Sequence, residues 1–149
     1  MLPGIKLTDI EMRYITVFEG LTGATALDCV VDKIKNRVIF VVKPGQAGLA
    51  IGPAGINLKK IREFIKKDIE VVEYSDNPRE LIKNCFIPAR VLNIRIVSNP
   101  NGRKIAYVTV PNNQRGLAIG REGRRIARAK ILAKRYFGID NVLLTRQSF

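Results

Sequence analysis

The chain contains no histidine, no tryptophan and only two cysteines among its 149 residues. Without histidine there is no Ser-His-Asp or Cys-His catalysis, no imidazole acid–base chemistry, and none of the commonest zinc geometries. Cys29 in "LDCVV" and Cys85 in "KNCFI" form no C-x-x-C and have apolar neighbours, so they read as two buried thiols packing as small hydrophobes. Neither G-x-x-x-x-G-K-[ST] nor G-x-G-x-x-G occurs, which leaves a nucleotide-handling enzyme without its phosphate loop. Asp28 and Asp32 are too isolated to make a metal site, and Asp68 and Glu70 are expected to face solvent. The expectation is a protein that is not an enzyme and carries no metal or cofactor. Aromatic residues are 7% of the chain; Tyr14, Tyr74, Tyr107 and Tyr136 fall in regular elements and read as core or sheet-face residues, not stacking platforms. No apolar run approaches the ~18 residues of a spanning helix. "MLPGIKLTDIEMRY" lacks the charged lead and apolar run of a secretory signal, so a cytoplasmic protein with no membrane partner is expected.

Acidic residues are also scarce. There are 13 Asp and Glu against 26 Lys and Arg, a formal charge of +13. A balance this basic calls for a polyanionic partner. The apolar content of 46% is ample for a folded core.

"GLAIG" occurs twice, at Gly48–Gly52 and Gly116–Gly120, 68 residues apart. At that offset Gln46 meets Gln114, Phe40 meets Val108, Val42 meets Val110, and Leu58, Ile61 and Ile65 meet Ile126, Ala129 and Ala133. Apolar positions stay apolar on both sides of the pentapeptide, which marks a duplicated unit. Two domains are expected, residues 1–75 and 76–149.

Each half reads in the same order: helix, strand, strand, short helix, glycine turn, longer helix, strand. "LTDIEMRYITVFEGLTG" has helical apolar spacing, Thr8 or Asp9 as N-cap and Gly23 as a stop. "TALDCVVD" and "RVIFVVK" read as a hairpin, and "IEVVEYS" closes the unit. In the second half "NPRELIKNCFI" is the helix, "RVLNIRIVS" and "RKIAYVTV" flank the turn "NPNG", and "NVLLTR" closes. The connection "YSDNPRE" between the halves is short.

The pentapeptide runs on to complete a G-x-x-G in each half: Gly52-Pro53-Ala54-Gly55 and Gly120-Arg121-Glu122-Gly123. Glycine at both ends lets another backbone pass close by. The helix that follows offers unsatisfied N–H groups and a positive dipole end to an anion. A phosphate backbone fits such a turn, with bases leaning on Ile51 and Ile119. The stretches Ile51-Gly52-Pro53-Ala54-Gly55-Ile56-Asn57-Leu58 and Ile119-Gly120-Arg121-Glu122-Gly123-Arg124-Arg125-Ile126 closely resemble the KH domain, whose G-x-x-G loop clamps about four nucleotides of backbone. The helix-first order resembles the type II form, which implies an α+β fold: a three-stranded sheet with helices packed on one face, twice over. Tandem type II KH domains joined this tightly, with "FEGLTGATALDCVVD" and two "GLAIG" loops, are similar to the short archaeal NusA-like proteins over nearly the whole chain. That resemblance implies single-stranded RNA as the partner, a role in transcription elongation, termination or antitermination, and a monomer. The chain departs from bacterial NusA in having no N-terminal polymerase-binding domain, S1 domain or C-terminal repeats; RNA polymerase stands as a further candidate partner. The alternative is a protein-interaction scaffold docking on RNA polymerase or the ribosome.

The charge is uneven. Residues 1–75 hold 11 Lys and Arg against 9 Asp and Glu, whereas residues 76–149 hold 15 against 4. At helical spacing Arg121, Arg124, Arg125 and Arg128 gather near the second turn. Around the first turn, whose Pro53 and Ala54 supply no side-chain donor, Lys43 precedes and Lys59 follows as candidate phosphate contacts.

Overall fold

Thr8 opens the first helix by a reciprocal pair of hydrogen bonds. Its hydroxyl accepts from the Glu11 N–H, and the Glu11 carboxylate accepts from the Thr8 N–H at 2.7 Å, a capping box that satisfies two otherwise orphaned donors. The helix, α1 (Asp9–Thr22), stops at Gly23, which adopts φ 74° and returns its N–H to the Glu19 carbonyl. The computed structural model describes residues 2–148. It shows two compact units, Met1–Tyr74 and Ser75–Phe149.

In the first unit β1 (Ala26–Asp32), β2 (Arg37–Val42) and β3 (Asp68–Glu73) form one sheet in that order, β1 antiparallel and β3 parallel to β2. Parallel pairing needs a crossover. The helices α2 (Ala47–Ile51) and α3 (Ile56–Ile65) supply it. Cys29, Val38, Phe40 and Val42 on one sheet face pack with Phe18 of α1, Ala50 of α2 and Ile61 of α3, all buried. Phe18 lies stacked on Phe40, centroids 4.1 Å apart. Arg37, on the central strand, is fully buried; its guanidinium donates to Asp32 at 2.9 Å and to Glu70 at 3.1 Å. This corrects the expectation for the acidic pair: Glu70 is a half-buried partner of a buried cation, and Asp68 is bridged by Arg62 at 3.3 Å.

The second unit repeats the order: α4 (Pro78–Phe86), β4 (Asn93–Ser98), β5 (Lys104–Thr109), α5 (Arg115–Ile119), α6 (Arg124–Phe137) and β6 (Asn141–Thr145), with sheet order β4-β5-β6. Asn77 caps α4, its side-chain Oδ1 accepting from the N–H groups of Arg79 and Glu80. The expected strand "RVLNIRIVS" begins three residues late, at Asn93, and the Gln114 side chain accepts from the Arg90 N–H at 2.6 Å. Gln46 does the same for Thr25 at 2.6 Å. The repeated glutamine thus ties the start of the short helix to the entry of the first strand in both units.

Helix lengths break the symmetry. α4 has 9 residues against 14 in α1, and α6 has 14 against 10 in α3. Near the end of α6, Lys134 donates to Asp140 at 2.7 Å. That hydrogen bond, then the Lys104 N–H, holds the Asp140 carboxyl below its usual range.

Both cysteines are buried in the core, and burial pushes the Cys85 thiol up to about 12 against the lowering pull of Arg128. A thiol this far from ionising is a poor nucleophile at neutral pH. The native protein at pH 8 is therefore expected to leave both thiols unreacted with a disulfide reagent over times in which denatured protein titrates fully. Fast labelling of the native chain would contradict this packing.

Candidate nucleic-acid interface

The two glycine turns have the same backbone to within a few degrees. Gly52 has φ 77°, ψ 168° and Gly120 φ 80°, ψ 168°, a region open essentially to glycine alone. Ala54 and Glu122 lie left-handed at φ 55° and 56°. Gly55 and Gly123 follow, left-handed at φ 71° and 73°. Within each turn the last glycine's N–H donates to the carbonyl of the first, at 3.0 and 3.1 Å.

The first glycine is required twice over. A Cβ on Gly52 would lie 2.8 Å from Asn57 Nδ2, and one on Gly120 would lie 2.8 Å from the Arg125 backbone nitrogen. A Cβ on Gly55 or Gly123 would meet nothing within 4 Å; those two glycines serve the left-handed conformation and leave the space over the turn clear. Asn57 also reaches back: its side-chain amide donates to the Leu49 carbonyl at 3.0 Å. Arg125, in the same place of the repeat, donates from Nη1 to the Leu117 carbonyl. Each turn is therefore stapled shut by the side chain five residues beyond its first glycine. Sequence reasoning missed Asn57 because asparagine and arginine look unrelated; the shared offset in the repeat was the available signal.

The helices that leave the turns are built differently from α1 and α4. Neither α3 nor α6 has a side-chain N-cap, and neither has an acidic residue in its first turn. α6 instead begins Arg124-Arg125. Cations at the positive end of a helix dipole are unfavourable, by roughly 0.3–1 kcal/mol each at the surface. The first N–H of each helix, on Ile56 and Arg124, is returned to the Pro53 and Arg121 carbonyls of the turn, so each end is closed by backbone alone and its first turn carries no side-chain charge that would repel an anion.

Pro53, Ala54, Arg121 and Glu122 are exposed at the turns. Ile51 is half-buried, and Ile119 is exposed. Leu49 and Leu117, beside them on α2 and α5, and Ile56 at the start of α3 are exposed too, apolar surface next to each turn that the sequence did not single out. Lys43 is exposed just past β2, and Lys59 is exposed on α3. Arg124 is half-buried.

Arg128 is a correction. It is 8% exposed, and its guanidinium donates to the Cys85 carbonyl at 2.7 and 3.1 Å and toward Ile87. α4 ends at Phe86 two residues before Pro88, so its last carbonyls lack helical partners. The arginine supplies them from inside the unit and does not join the loop cluster.

No helix among the described residues is long and apolar enough to cross a membrane, and no group of three or more Cys, Asp or Glu among them is placed to hold a metal ion. A family model described as KH domain matches residues 12–101, and one described as NusA-like second KH domain matches 78–143. The chain is 39% identical to the probable transcription termination protein NusA of Halococcus morrhuae over 94% of its own length and 98% of that protein's. It is 36% identical to the protein of the same name from Halobacterium salinarum, over 95% and 99%. The crystal structure of APE1850 superposes with a TM-score of 0.84 at 38% identity, covering 93% of this chain and all of that one.

The two glycines of a turn should respond differently to alanine. Gly120→Ala forces a Cβ against backbone in a glycine-only conformation and is expected to cost about 2–4 kcal/mol. Gly123→Ala meets open space and is expected to cost about 1 kcal/mol. Urea unfolding of both variants measures the difference; equal losses would contradict the contact assigned to Gly120.

Proposed function

The chain belongs to the NusA family of KH-domain proteins, and on that premise we propose that it binds single-stranded RNA at its two glycine turns and acts in transcription termination or antitermination. The observation that carries this reading is the pair of helix N-termini, α3 and α6, that have no side-chain cap and no acidic residue in the first turn, each entered through a turn whose second glycine leaves the space above it empty. A phosphodiester lying there would receive helix N–H groups and the dipole field together. Exposed Leu49, Ile56, Leu117 and Ile119 give the bases an apolar surface beside each turn. The residues proposed to meet RNA are Ile51, Gly52, Pro53, Ala54 and Gly55 with Lys43 and Lys59, and Ile119, Gly120, Arg121, Glu122 and Gly123 with Arg124. Arg125 acts on the RNA through the shape of the turn it staples. Each unit acts as one KH domain, with the boundary at Tyr74–Ser75. The protein works as a cytoplasmic monomer, and RNA polymerase is the machinery it serves.

The turns are unequal in charge. Arg121 places a cation where the phosphate crosses, whereas Pro53-Ala54 offers only backbone. Arg121→Asp is expected to weaken binding of a single-stranded RNA by about 1–3 kcal/mol, the range for losing a charged hydrogen bond and gaining a repulsion. Ala54→Asp adds the same negative charge but removes no donor, so its effect should be smaller. Titration of parent and both variants with one RNA, at matched melting temperatures, decides the order. Binding that is equally tight to duplex and single strand at every salt concentration would count against the function itself.

A further inference from the structure

Three of the first unit's cations, Lys59, Arg62 and Lys66, run along one face of α3 away from its turn, and Lys67 follows them. A cavity of about 500 Å³ opens there, between Asn36 in the β1–β2 turn and the last turn of the helix. Its basic lining is Lys59, Arg62, Lys66 and Lys67; Glu63 and Asp68 are the carboxylates that face it. Lys59, Arg62, Glu63 and Lys66 follow the three- and four-residue spacing of one helix face. That face starts one turn from Gly55, so it leads from the glycine turn down to the cavity, about 10 Å along the axis from Lys59 to Lys66.

The cavity lies where α3 ends early. From equivalent starting points α3 runs 10 residues and α6 runs 14. In the second unit Lys134, in the place of Lys66, is helical and gives its charge to Asp140 at 2.7 Å. In the first unit the chain leaves the helix at Lys66, which is left-handed at φ 61°, and enters β3 two residues later. Helices α1 and α6 put glycine at this cap, as Gly23 and Gly138, and glycine suits it best. A lysine held there keeps an ammonium at the cavity at a conformational cost. The carbonyls of the helix end attract cations and account for some of this charge. They do not use all of it: the lining carries the four cations against two carboxylates, Glu63 and Asp68, the second of them bridged by Arg62 at 3.3 Å.

We propose that this cavity is a second phosphate site of the first unit, taking a phosphodiester of the same RNA strand that crosses Gly52–Gly55. The proposal rests on the RNA-binding reading. It assigns to Lys66 and Lys67 the cationic contact that Pro53-Ala54 cannot make.

The test is a salt titration of the full chain with a single-stranded RNA long enough to pass both turns. Removing one phosphate neutralisation lowers the slope of log affinity against log salt by about 0.7. The double variant Lys66→Gln/Lys67→Gln is expected to drop by about 0.7–1.4 in slope, one or two such neutralisations, and several-fold in affinity at low salt. A control of equal charge change, Lys6→Gln/Lys83→Gln at exposed positions off the cavity, should keep the slope. Lys66→Gly, which fits the left-handed backbone, guards against misfolding and should reproduce part of the drop. A cavity variant whose slope and affinity equal the parent's, or fall no more than the control's, overturns the proposal. So does a variant that keeps the RNA slope but no longer binds polyglutamate as the parent does, which assigns the cavity to an acidic protein segment. A parent chain with no salt-dependent affinity for single-stranded RNA is a different outcome, because it fails the function reading itself.

Discussion

The first glycine of each turn leaves no room for a side chain, and much of the molecule is arranged around that contact. Gly52 passes against Asn57, and Gly120 against Arg125. The same two side chains reach back to the carbonyls of Leu49 and Leu117. Close approach and staple hold the short helix, the turn and the long helix in one geometry, so the long helix presents its N-terminal end at a set place. A loop with a freer backbone would have to be ordered by its ligand, and that ordering would weaken binding.

Duplication preserved this geometry and let the chemistry around it diverge. The turn angles agree within a few degrees, yet one turn reads Pro-Ala and the other Arg-Glu. The first unit is nearly balanced in charge, with four of its cations lining the end of a shortened α3; the second is strongly basic around α6. The extra length of α6 and the early end of α4 go together with a new internal contact. Arg128, where the first unit has an exposed Lys60, turns inward to satisfy the end of α4.

The repeated unit and its glycine turns were legible because their constraints are local. "GLAIG" followed by a second glycine states a helix end, a tight turn and a new helix within eight residues. Gln46 and Gln114 were visible as a match, and the structure gives them the same hydrogen bond. What depended on distant partners was not legible. Nothing near Arg37 announces that Glu70, 33 residues on, will meet it across a parallel strand pair. Arg128 looks like one more member of a basic run until α4 is seen to stop short at Phe86, with the Cys85 carbonyl, 43 residues before the arginine, left for it to satisfy. The staple was hidden in another way, since asparagine and arginine do the same work from the same place.

The central claim is that a phosphate backbone lies over the two turns and against the N-terminal ends of α3 and α6. An amide chemical-shift titration with single-stranded RNA tests it most directly. The account predicts that the largest shifts fall on Gly52, Ala54, Gly55 and Ile56 in the first unit and on Gly120–Arg124 in the second. Shifts concentrated on the sheet strands, with both turns unmoved at saturation, would contradict it.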